Sequence, residues 1–68
     1  MYTNKKQRIN IADTPEKGLN QICECQKESG KKFVSRLVEI DGMYLHFQNK
    51  NGEIMINRRD TLVKMEVI

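Results

Sequence analysis

The chain has 68 residues, of which 38% are hydrophobic and 31% are charged, and its formal net charge is +3. This length permits one small domain with a thin core, so we expect a single domain in these residues. Because no window approaches the roughly 18 apolar residues of a membrane span, we expect a soluble, cytoplasmic protein that makes no membrane contact.

The excess positive charge lies at the N-terminus. Lys5, Lys6 and Arg8 stand in a stretch without acidic side chains, whereas the rest of the chain carries equal numbers of basic and acidic residues. We interpret residues 1–13 as a flexible basic arm and residues 14–68 as one domain. Such an arm can strengthen binding to a polyanion through counterion release, although a solvated terminus has the same composition.

Thr14, Pro15 and Glu16 form a pattern that is typical of a helix start. Thr14 can cap the first exposed amides, Pro15 fits the first helical position, and Glu16 suits the positive end of the helix dipole. This pattern predicts a short helical turn, which Gly18 weakens further along the chain.

Residues 19–26 fit two kinds of element. Their apolar positions follow helical spacing, which predicts an α+β fold with one helix over 15–27 packed on a four-stranded antiparallel meander. Cys23 and Cys25 also share one face of a strand, and residues 28–31 are typical of a hairpin turn. We favour the strand, because a fifth strand allows a small barrel to close and removes open sheet edges.

Four further strands are predicted downstream, joined by short turns. Residues 32–40 are rich in β-branched and aromatic side chains, and residues 43–48 alternate between apolar and polar. Residues 54–56 form a short strand, and residues 61–68 form a final alternating strand. Asp41-Gly42 indicates a tight turn between the first two. Connections this short are typical of an antiparallel meander.

One predicted strand is irregular. Residues 32–40 carry apolar side chains on both faces, so we expect a bend or bulge at Ser35-Arg36 that curls the sheet towards closure. The predicted fold is therefore mainly β, a five-stranded antiparallel small barrel that follows a short N-terminal helical turn.

A family resemblance rests on the middle of the chain. Gly30, Phe33, Leu37 and Asp41 fall at the spacing of the first motif of the Sm-like (LSm and Hfq) proteins, which are SH3-like small barrels. The triplet 43–45 is similar to the end of that motif, with tyrosine where the family usually has asparagine. This segment thus resembles an Sm-like protein, and the resemblance implies a five-stranded SH3-like barrel.

The resemblance also implies a function. In Sm-like proteins the turn after the second strand and the turn before the last strand lie side by side and bind single-stranded RNA. These turns correspond here to Asp41–Tyr44 and Asn57–Asp60, and residues 56–60 lie near the family's second motif. A tyrosine ring can stack a base for about 1–3 kcal/mol, and arginine can stack or bind phosphate.

RNA or another single-stranded nucleic acid is therefore the expected partner. The predicted nucleic-acid-binding residues are Asp41, Tyr44, Asn57, Arg58 and Arg59, with Lys31, Lys32 and Arg36 as a second basic group. The resemblance further implies a ring in which the fourth and fifth strands of neighbouring subunits pair, so we also expect a homo-oligomer that assembles through edge strands.

The sequence also bears on protein recognition, catalysis and metal binding. Residues 57–60 equally fit a solvated turn on an SH3-like barrel that recognises a protein, which is the alternative function. We find no nucleophile paired with a base and no glycine-rich phosphate loop, so we do not expect an enzyme. Cys23, Cys25 and His46 are too few for a structural zinc site, so no metal or cofactor is expected.

Overall fold

A computed structural model describes residues 7–68, which form one six-stranded sheet in the spatial order β1-β6-β2-β3-β4-β5. All neighbouring strands are antiparallel. The strands are β1 (Gln7–Arg8), β2 (Ile22–Lys27), β3 (Lys32–Asp41), β4 (Tyr44–Gln48), β5 (Ile54–Arg58) and β6 (Leu62–Val67). Two short 3-10 helices lie at Pro15–Gly18 and Arg59–Thr61. In this part of the chain, no helix is long and apolar enough to cross a membrane.

The segment that fitted two kinds of element is a strand. β2 lies between β3 and β6 and pairs with both, so the alternative of one helix over 15–27 is wrong. The predicted helical turn is confirmed as the 3-10 helix Pro15–Gly18, but the side chain of Thr14 forms no capping hydrogen bond. Cys23 and Cys25 are fully buried on the inner face of β2, and the burial of this alternating pair outweighs the local helical spacing.

The N-terminal segment contributes a sixth strand that sequence reasoning did not include. β1 pairs with the end of β6, and the N–H of Ile9 donates a hydrogen bond to the carbonyl oxygen of Met65 at 2.8 Å. Ile9 is buried in the core. Residues 7–9 of the predicted arm therefore pair with β6, and Lys5 and Lys6 lie outside the described residues.

The core lies on one face of the sheet, which is strongly curled. Phe47 on β4 pairs with Leu37, which is four positions and about 13 Å along β3 from Phe33. Yet the rings of Phe33 and Phe47 meet edge to face with centroids 5.2 Å apart. The buried side chains are Ile9, Cys23, Cys25, Leu37, Leu45, Phe47, Leu62 and Met65. A sheet bent this far can enclose its inner face without a covering helix.

The irregularity in β3 lies further along than predicted. The bulge expected at Ser35-Arg36 is wrong, because the register of β3 on β4 shifts between Leu37 and Glu39 and leaves Val38 as the extra residue. The extra residue turns the inner face from odd to even positions, so that Ile40 packs against the same core as Leu37. Apolar residues occur at both odd and even positions of β3 because the positions that face inward change from odd to even at Val38.

Removing one hydroxyl should stabilise this core. Ser35 is 4% exposed, and no group of residues 7–68 lies within hydrogen-bonding distance of its Oγ. Ser35→Ala removes a desolvated and unpaired hydroxyl, so we expect the free energy of unfolding to rise by about 1 kcal/mol in urea titrations. Cys25→Ser is the matched control, because it adds a hydroxyl to the same core and should lower stability. A loss of stability in Ser35→Ala would contradict this account.

Candidate nucleic-acid interface

The two turns that the resemblance singles out lie side by side. The backbone N–H of Arg59 donates to the carbonyl oxygen of Met43 at 2.7 Å, and its guanidinium Nη1 donates to the carbonyl oxygen of Gly42 at 3.2 Å. The turn between β3 and β4 is thereby joined to the 3-10 helix that precedes β6. A ligand bound at one turn therefore lies next to the other turn.

Three of the predicted residues form a row on the outer face. Asp41 pairs with Tyr44 across the β3–β4 hairpin, and Tyr44 pairs with Arg58 on β5. Directly opposite residues have Cβ atoms about 4.5–5.5 Å apart, so these three side chains are neighbours. Tyr44 is 46% exposed. The row therefore offers an aromatic face between a carboxylate and a guanidinium.

Arg58 has an internal partner that a ligand can replace. Its Nη2 lies 3.0 Å from Oδ2 of Asp60, and both side chains are more than half exposed. Exposed ion pairs contribute only about 0–1 kcal/mol to stability. The guanidinium can thus exchange the carboxylate for a phosphate at small cost.

Arg59 serves the fold instead. Its Nε and Nη2 donate to the carbonyl oxygen of Ile11 at 3.2 and 2.9 Å, and Nη2 also donates to that of Ala12 at 2.6 Å. Together with the bond to Gly42, these contacts tie the N-terminal segment to the turn after β3. Since its donors face backbone carbonyls, we assign Arg59 a positioning role beside the row.

The second basic group does not gather at these turns. Lys31 and Asn57 border a groove that has Phe33 and Met55 in its lining, beside the edge of β5. Arg36 donates from Nη1 to the carbonyl oxygen of Asn20 at 2.8 Å and lines a separate groove on the outer face.

Lys32 lies at a third place. It borders a small depression together with Glu24, Lys64 and Glu66, on the far side of β3 from the paired turns. The predicted residues are therefore distributed over several parts of the surface. Three of them, Asp41, Tyr44 and Arg58, are direct cross-strand neighbours.

Sequence reasoning missed the apolar part of the outer face. Ile54 and Ile56 are 51% and 59% exposed, whereas Met55 between them is half-buried against the core. The sequence indicates that β5 is a strand with alternating faces, but it does not show which residues of the strand face the core. Their orientation follows from pairing with β4, where Phe47 faces inward opposite Met55 and His46 faces outward opposite Ile56.

The two cysteines are buried and chemically quiet. Burial raises the pKa of the Cys23 thiol, and it raises the pKa of Cys25 to about 12, with smaller contributions from the charges of Cys23 and Glu24. Protonated thiols are poor nucleophiles and poor metal ligands. Among residues 7–68, no three His, Cys, Asp or Glu side chains are grouped to hold a metal ion.

Comparisons of the chain with protein-family models, with curated proteins and with solved structures found no match.

Arg58 and Arg59 should differ sharply in their effect on stability. Arg59→Ala removes hydrogen bonds from a charged group to backbone carbonyls, so we expect the free energy of unfolding to fall by about 3 kcal/mol. Arg58→Ala removes only an exposed ion pair and should cost no more than about 1 kcal/mol. Urea titrations of the two variants measure the difference. Equal losses would show that Arg59 is not the residue that ties these segments together.

Stability should fall at high pH because of Cys25. Its pKa in the folded protein is about 12, against an ordinary value of 9.0. Between these values the unfolded chain loses the thiol proton first, so the free energy of unfolding falls as pH rises, by up to about 1.4 kcal/mol per unit. Urea titrations from pH 8 upward should show a shallower fall for Cys25→Ala. The same slope in both proteins would refute the assignment.

Proposed function

We propose that the protein is a non-enzymatic binding domain with an SH3-like, Sm-like small barrel, and that it binds RNA or another single-stranded nucleic acid at the outer-face row. The fold proposal is supported by the run β2 to β6, in which successive strands are antiparallel and the first strand also pairs with the last. The long bulged β3 and the 3-10 helix before β6 agree with it.

The observation that carries the functional proposal is the pairing of Tyr44 with Arg58 on neighbouring strands. The exposed ring of Tyr44 lies beside Arg58, next to the contact between the two turns. An aromatic face with an adjoining guanidinium is the arrangement that stacks a base and holds its phosphate. The row has one aromatic ring, so it accommodates one stacked base per subunit.

Each residue of the row has a distinct part in the proposed complex. The ring of Tyr44 stacks the base, and Arg58 leaves Asp60 to bind the adjacent phosphate. Asp41 has a carboxylate that can accept a hydrogen bond from a base amino group or from a ribose 2′-hydroxyl. Arg59 holds the turns in register and makes no direct contact with the ligand.

Protein recognition is the second candidate, and a different surface favours it. An open groove of about 660 Å³ on the outer face is lined by Ile22, Val34, Arg36 and Lys50, among others. Exposed apolar side chains in a groove are typical of protein-binding surfaces. In this alternative the row at Tyr44 has no ligand, and the groove binds a peptide.

Binding to a short single-stranded RNA tests the proposal by fluorescence anisotropy. Tyr44→Ala should weaken binding roughly 5- to 150-fold, because stacking contributes about 1–3 kcal/mol per base, and Tyr44→Phe should retain most of the affinity. Arg58→Gln should reduce the slope of log K against log salt by about 0.7. Lys17→Gln is the matched control, since it removes one exposed positive charge away from the row.

Two outcomes would decide against the proposal. If the unsubstituted protein fails to bind RNA at low salt, nucleic-acid binding is excluded and protein recognition remains. If RNA binds but Tyr44→Ala binds as well as the unsubstituted protein, the ligand lies elsewhere on the surface.

A further inference from the structure

The two edges of the sheet differ. On the β6 side, β1 pairs with the end of β6, and Ile9 continues the ladder through its bond to Met65. On the other side, β5 pairs with β4 alone, and no strand of residues 7–68 lies along its second edge. β5 thus has the longer open edge of the sheet, with five residues against two in β1.

The backbone groups that face this open edge can be identified. Asn49 donates its N–H to the carbonyl oxygen of Glu53, and Arg59 donates its N–H to that of Met43. In an antiparallel pair, hydrogen-bonded positions alternate along each strand, so the odd residues of β5 bond to β4. The N–H and C=O groups of Ile54 and Ile56 therefore point towards the open edge.

The same two residues expose apolar side chains. Ile54 and Ile56 lie more than half exposed on the outer face, and the strand has no charge between Glu53 and Arg58. Edge strands usually carry a lysine, a proline or a bulge that prevents pairing with another chain. β5 has an even register with β4 and none of these protections.

We propose that two copies of the chain join through β5, antiparallel, around a two-fold axis at Met55. This register places Ile54 of each copy opposite Ile56 of the other. Both are edge-facing residues, so each such pair exchanges N–H and C=O hydrogen bonds. Their side chains then form one apolar cluster on the outer face, with two isoleucines from each copy.

Charge supports an antiparallel pairing of this strand with itself. β5 begins beside the acidic Glu53 and ends at the basic Arg58. An antiparallel arrangement brings the acidic end of each copy next to the basic end of the other. A register centred on Ile56 would instead place Ile54 opposite Arg58 and divide the apolar cluster, so the axis at Met55 is the better match.

A second copy paired in this way differs from a ring. Head-to-tail pairing of β5 with β6 needs a free edge on β6, but β1 and Ile9 already occupy that edge from Met65 to Val67. The two-fold dimer uses only the open edge. It places both outer faces on the same side, with Arg58 of the two copies about 20 Å apart along the strands.

Sedimentation equilibrium measures the predicted dimer. We expect the unsubstituted protein to be dimeric at sub-millimolar concentration, and we expect Ile56→Lys to raise the dissociation constant roughly a hundredfold or more. Val34→Lys is the matched control, because Val34 is 51% exposed. It lies on β3, which has a neighbouring strand on each side, and it is away from the open edge of β5. Circular dichroism checks that each variant is folded.

Cross-linking tests the register. Met55→Cys places two thiols opposite each other at the axis, at a non-hydrogen-bonded position with Cα atoms about 4.5 Å apart, so mild oxidation should give a disulfide-linked dimer. Ile56→Cys faces Ile54 of the other copy and should cross-link far less. Cys23 and Cys25 are buried, and burial raises the pKa of both thiols, which disfavours their oxidation.

Three results would overturn the dimer. They are a monomer at all concentrations, a ring of higher order, and cross-linking through Ile56→Cys in preference to Met55→Cys. RNA binding is measured separately at Tyr44, so the dimer and the proposed function can fail independently.

Discussion

The structure depends on the curvature of β3. Apart from two short 3-10 helices, residues 7–68 offer no helix to cover the apolar face of the sheet, so the sheet must cover itself. The extra residue Val38 makes this possible, because it lets both Leu37 and Ile40 face inward on a strand that bends between them. The edge-to-face contact of Phe33 and Phe47 shows that the sheet is also curled over residues 33–37 of β3.

The candidate site follows from the pairing of β4 with β5. This pairing places the 3-10 helix before β6 beside the turn after β3, and Arg59 fixes that contact with hydrogen bonds to backbone carbonyls. Tyr44 and Arg58 are then presented on the outer face by two paired strands, which hold them more firmly than a loop could. A rigid aromatic ring loses little conformational freedom when a base stacks on it, so the scaffold is compatible with the proposed role of Tyr44.

The sequence predicts the strands and turns of this fold well, but it predicts the bulge in β3 and the pairing of β1 less well. Period-2 alternation and turn residues correctly located β3, β4 and the hairpin at Asp41-Gly42, because these signals depend on local backbone preferences. The bulge at Val38 depends on which side chains the folded core admits, and no local preference marks it. The role of β1 was equally hidden, since two exposed polar residues carry no strand pattern by themselves.

The candidate site shows the same division. The resemblance indicated both turns, and the row of Asp41, Tyr44 and Arg58 is assembled by strand register. Arg58 and Arg59 are adjacent residues of the same type, and the sequence does not distinguish them. Arg58 lies on the outer face, whereas the side chain of Arg59 reaches the backbone of Ile11. Their difference arises from β5 ending at Arg58, where the chain turns into the 3-10 helix and redirects the next side chain. In the proposed complex, Arg58 binds the ligand and Arg59 stabilises the fold, although the two residues are adjacent and of one type.

The edge of β6 is covered and the edge of β5 is not, and this difference is related to the small size of the core. A chain this short gains stability from any additional apolar surface that it buries, and β1 contributes Ile9 to the core while it covers the edge of β6. Nothing in the described chain does the same for β5, where Ile54 and Ile56 remain exposed beside unpaired backbone groups. Self-association at β5 would add buried apolar surface and satisfy those groups together, and it would leave the row at Tyr44 open on the outer face.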